Sequence, residues 1–109
     1  MHTIRLSQLA FARSGDKGNR ANIGVVARDP LRYQWLIASL TEEVVAEYFQ
    51  PMGIGKVCRY LLPGISALNF VIDDALAGGA SRSLRIDTQG KTLATAILEL
   101  RLPAPEEFR

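Results

Sequence analysis

The chain has 109 residues, of which 48% are hydrophobic and 22% are charged, and its formal net charge is +2. This composition is typical of one globular domain, residues 1–109, and the small net charge argues against binding to nucleic acid. Because no apolar run is long enough to cross a bilayer and no secretory signal is present, we predict a cytoplasmic protein that does not bind membranes. One cysteine and one histidine argue against a soft-ligand metal site, and neither a metal nor a cofactor is predicted.

The first half of the chain contains two predicted strands followed by two predicted helices. The strands cover Thr3–Ala12 and Ala21–Arg28, and the second has the continuous apolar run that is typical of a central strand. Asp29 before Pro30 indicates a helix start. Thr41, followed by two glutamates, indicates the start of a second helix.

The second half contains a predicted strand, a predicted helix and a predicted hairpin. The strand is Lys56–Leu62, and Ile65–Ala77 is predicted to be a buried helix because apolar residues cover most of its circumference. Ser83–Thr88 and Lys91–Leu102 are predicted to be the two strands of the hairpin. The resulting fold class is α+β: a two-layer sandwich with one mostly antiparallel sheet of about five strands and helices on one face.

A glycine-rich polar segment between the first two predicted strands is the main candidate site. Glycine allows close approach of a ligand to the main chain, and successive backbone N–H groups can form an anion-binding concavity. The alternative is a hairpin connection in which Asp16 and Asn19 form Asx-turns. The candidate ligand-binding residues are Arg13, Ser14, Gly15, Asp16, Lys17, Gly18, Asn19 and Asn22.

Further residues are predicted to support this site. The glycine and arginine residues after the predicted third helix add positive charge if the two loops lie close together, or else form only a helix end and a linker. Ser66, Asn69 and Asp73 share one face of that helix, so Asn69 either holds the shape of the polar loop, lies on an exposed face, or satisfies buried backbone groups. The supporting residues are Asn69, Gly78, Gly79, Arg82 and Arg85.

Two expectations concern the remaining surface. Cys58 is predicted to be a small buried residue without a catalytic role, because the only histidine, His2, is near the terminus. Four apolar side chains share one strand parity and are predicted to lie exposed on the sheet, which indicates a homo-oligomer. They are Leu9, Phe11, Leu93 and Ile97.

Four segments resemble the small ferredoxin-fold domain of the acyclic terpene utilisation protein AtuA and its relatives. The resemblance covers about Leu6 to Leu100 and implies a ferredoxin-like fold. In that family the domain follows a much larger region or stands beside it as a separate small protein, and this chain resembles the separate form. The segments are Ala12–Asn19 with Ala21–Gly24, Arg59–Pro63, Ala67–Val71, and Gly78–Gly79 with Ser83–Lys91.

The resemblance implies a role in the catabolism of acyclic terpenes or related branched acyl-CoA compounds, and it supplies no catalytic residues. We therefore expect a non-catalytic binding or assembly subunit that acts with a larger AtuA-like partner. The alternative is a small enzyme that acts on an acyl-CoA-type substrate through the glycine-rich segment. An anionic small molecule, either an acyl-CoA or a carboxylate, is the expected ligand in either case.

Overall fold

The structure is a computed structural model, and it describes residues 3–17, 20–73 and 90–104. Short 3-10 helices cover Leu6–Gln8, Gln50–Met52 and Pro63–Ile65. In chain order the strands and α-helices are β1 (Thr3–Arg5), β2 (Ala10–Lys17), β3 (Arg20–Ala27), α1 (Pro30–Ser39), α2 (Glu42–Phe49), β4 (Val57–Leu62), β5 (Ala67–Asp73), α3 (Gly90–Leu98) and β6 (Arg101–Pro103).

The main sheet of the described residues has four strands in the order β2-β3-β5-β4, and every neighbouring pair is antiparallel. β1 and β6 form a separate antiparallel ribbon, in which Thr3 pairs with Pro103 and Arg5 with Arg101. The predicted α+β class is confirmed, whereas the main sheet has four strands in the described part of the chain instead of about five. The difference arises in the second half of the chain, where one predicted hairpin strand lies outside the described residues, the other is replaced by α3 and β6, and β5 adds one strand that was predicted as a helix. The first predicted strand is also divided by the 3-10 helix Leu6–Gln8, so that β1 belongs to the separate ribbon while β2 stays in the main sheet.

Both predicted helix starts in the first half are confirmed. The Asp29 carboxylate accepts a hydrogen bond from the Arg32 N–H at 2.8 Å, and Pro30 occupies the first turn. At the start of α2 the Thr41 hydroxyl accepts from the Val44 N–H at 3.2 Å. These side chains satisfy backbone donors that have no partner inside the helix, so the start of each helix is fixed by local sequence.

The sheet has two different faces. The inner face carries the buried residues of the central strands and packs against the helices. This placement follows from contacts of inner-face residues: Ser14 accepts from the Ala94 N–H of α3, and Arg59 donates to the Ile37 carbonyl of α1. The inner-face residues of β3 and β5 are Ala21, Ile23, Val25, Leu68, Phe70 and Ile72.

The predicted helix Ile65–Ala77 is wrong over its described part, because residues 67–73 form strand β5. Leu68 and Phe70 face inward and are fully buried, whereas Asn69 faces outward, which is the period of a strand. Ser66 has a φ of 53°, a left-handed conformation that turns the chain back from β4 into β5. Ser66 therefore precedes the strand, and the predicted polar stripe on a helix does not exist.

The second strand of the predicted hairpin is also wrong. Lys91–Leu102 contains helix α3 and then strand β6, whereas the first predicted strand, Ser83–Thr88, lies outside the described residues. Leu93 and Ile97 are one helical turn apart and both are buried, so a period near four describes this segment better than alternation. No helix in the described part of the chain has the length and apolar character needed to cross a membrane.

Burial contradicts two predictions about the surface. Leu9, Leu93 and Ile97 have exposed fractions of 0%, 1% and 0%, so only Phe11 of the four proposed apolar surface residues is exposed. Leu9 follows the 3-10 helix Leu6–Gln8 and packs in the core instead of lying on a strand. Leu93 and Ile97 lie on the side of α3 that packs in the core. Cys58 is only half-buried, because its place in β4 sets it on the outer face opposite Val71.

Candidate functional site

The glycine-rich candidate segment forms strands over most of its length instead of a loop. Arg13 pairs with Gly24 and Gly15 pairs with Asn22 in the ladder between β2 and β3. Main-chain groups that a loop would leave for an anion are therefore partly used by the sheet. The backbone of Asp16 and Lys17 belongs to β2, whereas their side chains, together with Gly18 and Asn19, lie outside the described part of the structure.

A row of residues that we call the polar row crosses the outer face of the sheet. It consists of Arg13, Gly24, Asn69 and Tyr60, one from each strand, and each is paired with the next. A Cβ atom at Gly24 would lie 3.9 Å from Asn69 Oδ1 and 3.9 Å from the Arg13 carbonyl oxygen. The glycine therefore leaves a shallow depression between the arginine and the asparagine, and Asn69 lies beside Gly24 of the candidate segment.

The neighbouring row repeats this pattern one strand closer to the edge. Gly15 of β2 is paired with Asn22 of β3, and a Cβ at Gly15 would lie 3.8 Å from Asn22 Oδ1. The same row continues through Val71 to Cys58. The structure thus brings four predicted site residues, namely Arg13, Gly15, Asn22 and Asn69, to one face.

On the other side of the polar row lies a row of hydrophobic residues, which we call the apolar row. It consists of Phe11, Val26, Ala67 and Leu62, again one from each strand. Phe11 is 56% exposed and Leu62 is 43% exposed. The Arg28 guanidinium lies 4.2 Å from the centre of the Phe11 ring, a cation–π distance.

Arg13 differs from the other described arginines because its guanidinium has no hydrogen bond, ion pair or ring contact with another described residue. Arg20 donates to Asp73 at 2.7 Å, and Arg28 donates to the Ser7 carbonyl at 3.0 Å. Arg59 donates to two main-chain carbonyls at the end of α1. The remaining three contact acidic or hydroxyl side chains: Arg5 with Glu99, Arg32 with Asp29, and Arg101 with Thr3.

Arg13 also lines a cleft of about 390 Å³ between the edge strand β2 and helix α3. This volume is within the range of small-molecule sites in proteins. The Ser14 hydroxyl accepts from the Ala94 N–H at 3.2 Å, which fixes the helix against the strand. The lining residues are Ala12, Arg13, Ser14, Ala94, Thr95 and Leu98.

Sequence analysis identified two of these lining residues, Arg13 and Ser14, and missed the others. The three residues of α3 were missed because that segment was predicted as a strand, although the spacing of Leu93 and Ile97 carried the helical signal. The predicted supporting residues of the second loop lie outside the described part of the chain. They are Gly78, Gly79, Arg82 and Arg85.

Among the described residues, no group of three histidine, cysteine, aspartate or glutamate side chains is placed to hold a metal ion. Around the Arg13 guanidinium, which has no partner in the described part of the chain, lie the Ser14 and Thr95 side chains and two amide side chains, beside an apolar row. Such groups can bind a carboxylate or a phosphate by charge-assisted hydrogen bonds.

Comparison with known proteins gives a match to one family model. The model of the AtuA ferredoxin-like domain matches residues 4–103 of the 109-residue chain. No match was found among curated proteins or among solved structures. The match covers both hairpins of the main sheet, the polar and apolar rows and the β2–α3 cleft. The chain therefore belongs to the AtuA ferredoxin-like domain family.

Proposed function

We propose that this chain is a non-catalytic binding or assembly subunit that acts with a larger AtuA-like protein. The metabolic context would be the catabolism of acyclic terpenes or related branched acyl-CoA compounds. Membership of the AtuA ferredoxin-like domain family supports that context. The structural observation that carries the proposal is the outer face of the sheet, where large apolar side chains are exposed.

The exposed side chains on this face lie close together in the sheet. Phe11 and Leu62 end the apolar row, and Tyr60, which is 54% exposed, ends the polar row next to Leu62. Ile65 lies just beyond the end of β4 and is 64% exposed. Leu61 is 46% exposed but is paired with Leu68 and so lies on the other face of the sheet. Contiguous exposed apolar area of this kind typically marks a protein–protein interface.

Co-purification tests this proposal. Affinity-tagged wild-type chain is expected to retain the larger AtuA-like protein of the same cell, and Leu62→Ser is expected to weaken that binding. The matched control is Leu31→Ser, which changes a leucine on α1 that is also exposed, at 59%, and lies on the other side of the sheet. Failure of the wild-type chain to bind the larger protein contradicts the proposal, as does equal loss of binding in both variants.

The second candidate function is a small enzyme that acts on an acyl-CoA-type substrate. Arg13 favours it, because a guanidinium that no described residue pairs with, in a cleft also lined by Ser14 and Thr95, suits a phosphate or carboxylate. Titration with a CoA thioester, followed by amide NMR shifts, tests this candidate. Shifts confined to residues 12–14 and 94–98 are expected if it is right, and unchanged spectra at millimolar thioester contradict it.

A further inference from the structure

The two edge strands of the main sheet differ in whether another strand can add to them. At the outer edge of β4 the Arg59 N–H donates to the Glu42 carboxylate at 2.7 Å. The Arg59 guanidinium meanwhile donates to the Ile37 and Leu40 carbonyls at 2.8 and 2.9 Å. The first turn of α2 therefore blocks the free edge of β4, a common protection against unwanted strand pairing.

The direction of the main-chain groups in β3 follows from two bonds at its end. The Ala27 N–H donates to the Ser66 carbonyl on the β5 side at 2.9 Å. The next residue, Arg28, donates to the Leu9 carbonyl on the β2 side at 3.0 Å. Because these directions alternate along an antiparallel strand, Gly24 also turns its N–H and C=O toward β2.

The same alternation fixes the edge of β2. Gly24 exchanges its bonds with its partner Arg13, so the main-chain groups of Arg13 point into the sheet. Those of its neighbour Ala12 point away from β3, toward the edge of β2 where no described strand is paired. That edge borders the cleft between β2 and α3, which Ala12 and Ala94 line with small side chains.

We propose that an extended segment of the larger partner adds to β2 as a fifth strand in this cleft and places an acidic side chain beside Arg13. This inference rests on the proposed function and names the mode of docking. Strand addition between a sheet edge and a helix supplies main-chain hydrogen bonds for affinity and side-chain positions for specificity. The occupant is a peptide segment instead of a small anion because the main-chain groups of Ala12, which no described strand pairs with, are a peptide donor and acceptor.

The geometry also defines the sequence that would fit. A residue of the added strand directly opposite Arg13 lies on the outer face, where an acidic side chain forms a cross-strand pair with the free guanidinium. The residues on either side of it face inward, toward Leu98 and the small side chains of Ala12 and Ala94. The expected segment therefore alternates as apolar, acidic, apolar.

Two variants test the proposal with the larger AtuA-like protein as the probe. Arg13→Glu replaces attraction by repulsion, and Ala12→Pro removes the N–H at the free edge, a position where proline is tolerated. Each is expected to weaken binding at least ~10-fold, since both the charge pair and the edge bonds contribute. Lys56→Glu is the control, with the same charge change at an exposed residue just before β4, on the far side of the sheet.

Hydrogen exchange supplies an independent readout in the wild-type chain. The Ala12 amide is expected to exchange quickly alone and slowly in the complex, and thermal unfolding of each variant verifies that it is folded. The proposal is overturned if Ala12 is not protected in the complex. It is equally overturned if Ala12→Pro is folded and binds normally, or if a CoA thioester alone produces the protection.

The outcomes separate this inference from the proposed function. If the larger protein binds, and Leu62→Ser weakens binding while Arg13→Glu and Ala12→Pro do not, docking occurs on the outer face alone. The proposed function then stands and strand addition falls. If the wild-type chain does not bind the larger protein at all, the proposed function itself falls.

Discussion

Two tyrosines, Tyr48 at 37% exposed and the buried Tyr33, show how the same phenol group can stabilise or destabilise a fold. The Tyr48 hydroxyl donates to the Ala96 carbonyl at 2.6 Å and so connects α2 to α3. The Tyr33 hydroxyl is buried and has no hydrogen-bond partner within the described part of the structure. A buried polar group without a partner loses its bonds to water and gains none in return.

Replacing each tyrosine by phenylalanine therefore has different expected effects. Tyr48→Phe is expected to lower the free energy of unfolding by about 1 kcal/mol, because it removes the bond between the helices. Tyr33→Phe is expected to leave the free energy of unfolding unchanged or to raise it. Urea unfolding of both variants measures the two values, and a larger loss for Tyr33→Phe than for Tyr48→Phe contradicts the interpretation.

For Tyr48 we also predict that its contribution to the free energy of unfolding depends on pH in the alkaline range. Burial, and then the negative charge of Glu99, raise the pKa of Tyr48 above its ordinary value of 10.0. The unfolded state then loses its proton first, so the contribution of Tyr48 is complete below pH 10.0 and is lost as pH rises through the folded-state pKa. Unfolding curves of wild type and Tyr48→Phe are expected to converge above pH 10.0, and a constant difference would refute this assignment.

At the scale of elements, the edge of β4 depends on one carboxylate from a helix. The Glu42 side chain accepts from the Arg59 N–H, so the start of α2 protects a strand with exposed apolar side chains on both faces. The next residue, Glu43, belongs to the same first turn and is exposed, but no bond to β4 involves it. Comparing variants of Glu42 and Glu43 therefore separates the protection of the β4 edge from the general effect of negative charge at a helix N-terminus.

Glu42→Ala is expected to lower the free energy of unfolding by about 1 kcal/mol more than Glu43→Ala, because only the first variant loses a hydrogen bond. It is also expected to increase association with rising protein concentration, since the free N–H of the edge can pair with another chain. Urea unfolding and sedimentation velocity measure the two effects. Identical behaviour of the two variants would show that the carboxylate does not protect the edge.

The two helix starts that sequence predicted correctly have local chemical signals, whereas the strands at 20–27 and 57–62 followed from their apolar patterns. Asp29 with Pro30, and Thr41 with two glutamates, define helix starts through bonds within one turn. Residues 67–73 and 90–98 carry short apolar runs without such signals, and their secondary structure is decided by packing against the rest of the sheet. For this reason the second half was predicted with a helix where the structure has strand β5, and with a strand where it has helix α3.

The candidate site was predicted in part for the same reason. The sequence indicated Arg13 and Ser14 because cations and small polar residues stand between apolar segments. It did not indicate that β2 is an edge strand or that α3 lies beside it, since both facts depend on contacts between distant segments. Ala12, whose main-chain groups border the cleft, has a side chain without any functional signal.

For the whole molecule, the outer face is the surface expected to drive self-association in the absence of a partner. The helices of the described residues pack against the inner face, and the apolar row on the opposite face contains the exposed side chains of Phe11 and Leu62. A homodimer or higher oligomer would cover this area.

Analytical ultracentrifugation at micromolar concentration tests this prediction. The wild-type chain is expected to sediment as a species larger than the 12.0 kDa monomer, and the double variant Tyr60→Ser/Leu62→Ser as the monomer. The exposed leucine on α1 provides the control, because Leu31→Ser leaves the outer face intact. A wild-type chain that remains monomeric contradicts the prediction.

The β1–β6 ribbon has a mechanical consequence. Thr3 lies directly opposite Pro103, so the chain enters and leaves the described fold at the same end of an antiparallel pair. A force that pulls these two points apart acts across the ribbon and breaks its hydrogen bonds one after another, because the bonds lie perpendicular to the strands. Tension applied through both ends would therefore separate the two strands progressively from the Thr3–Pro103 pair, whereas a force applied through one end alone would not pull the two strands apart.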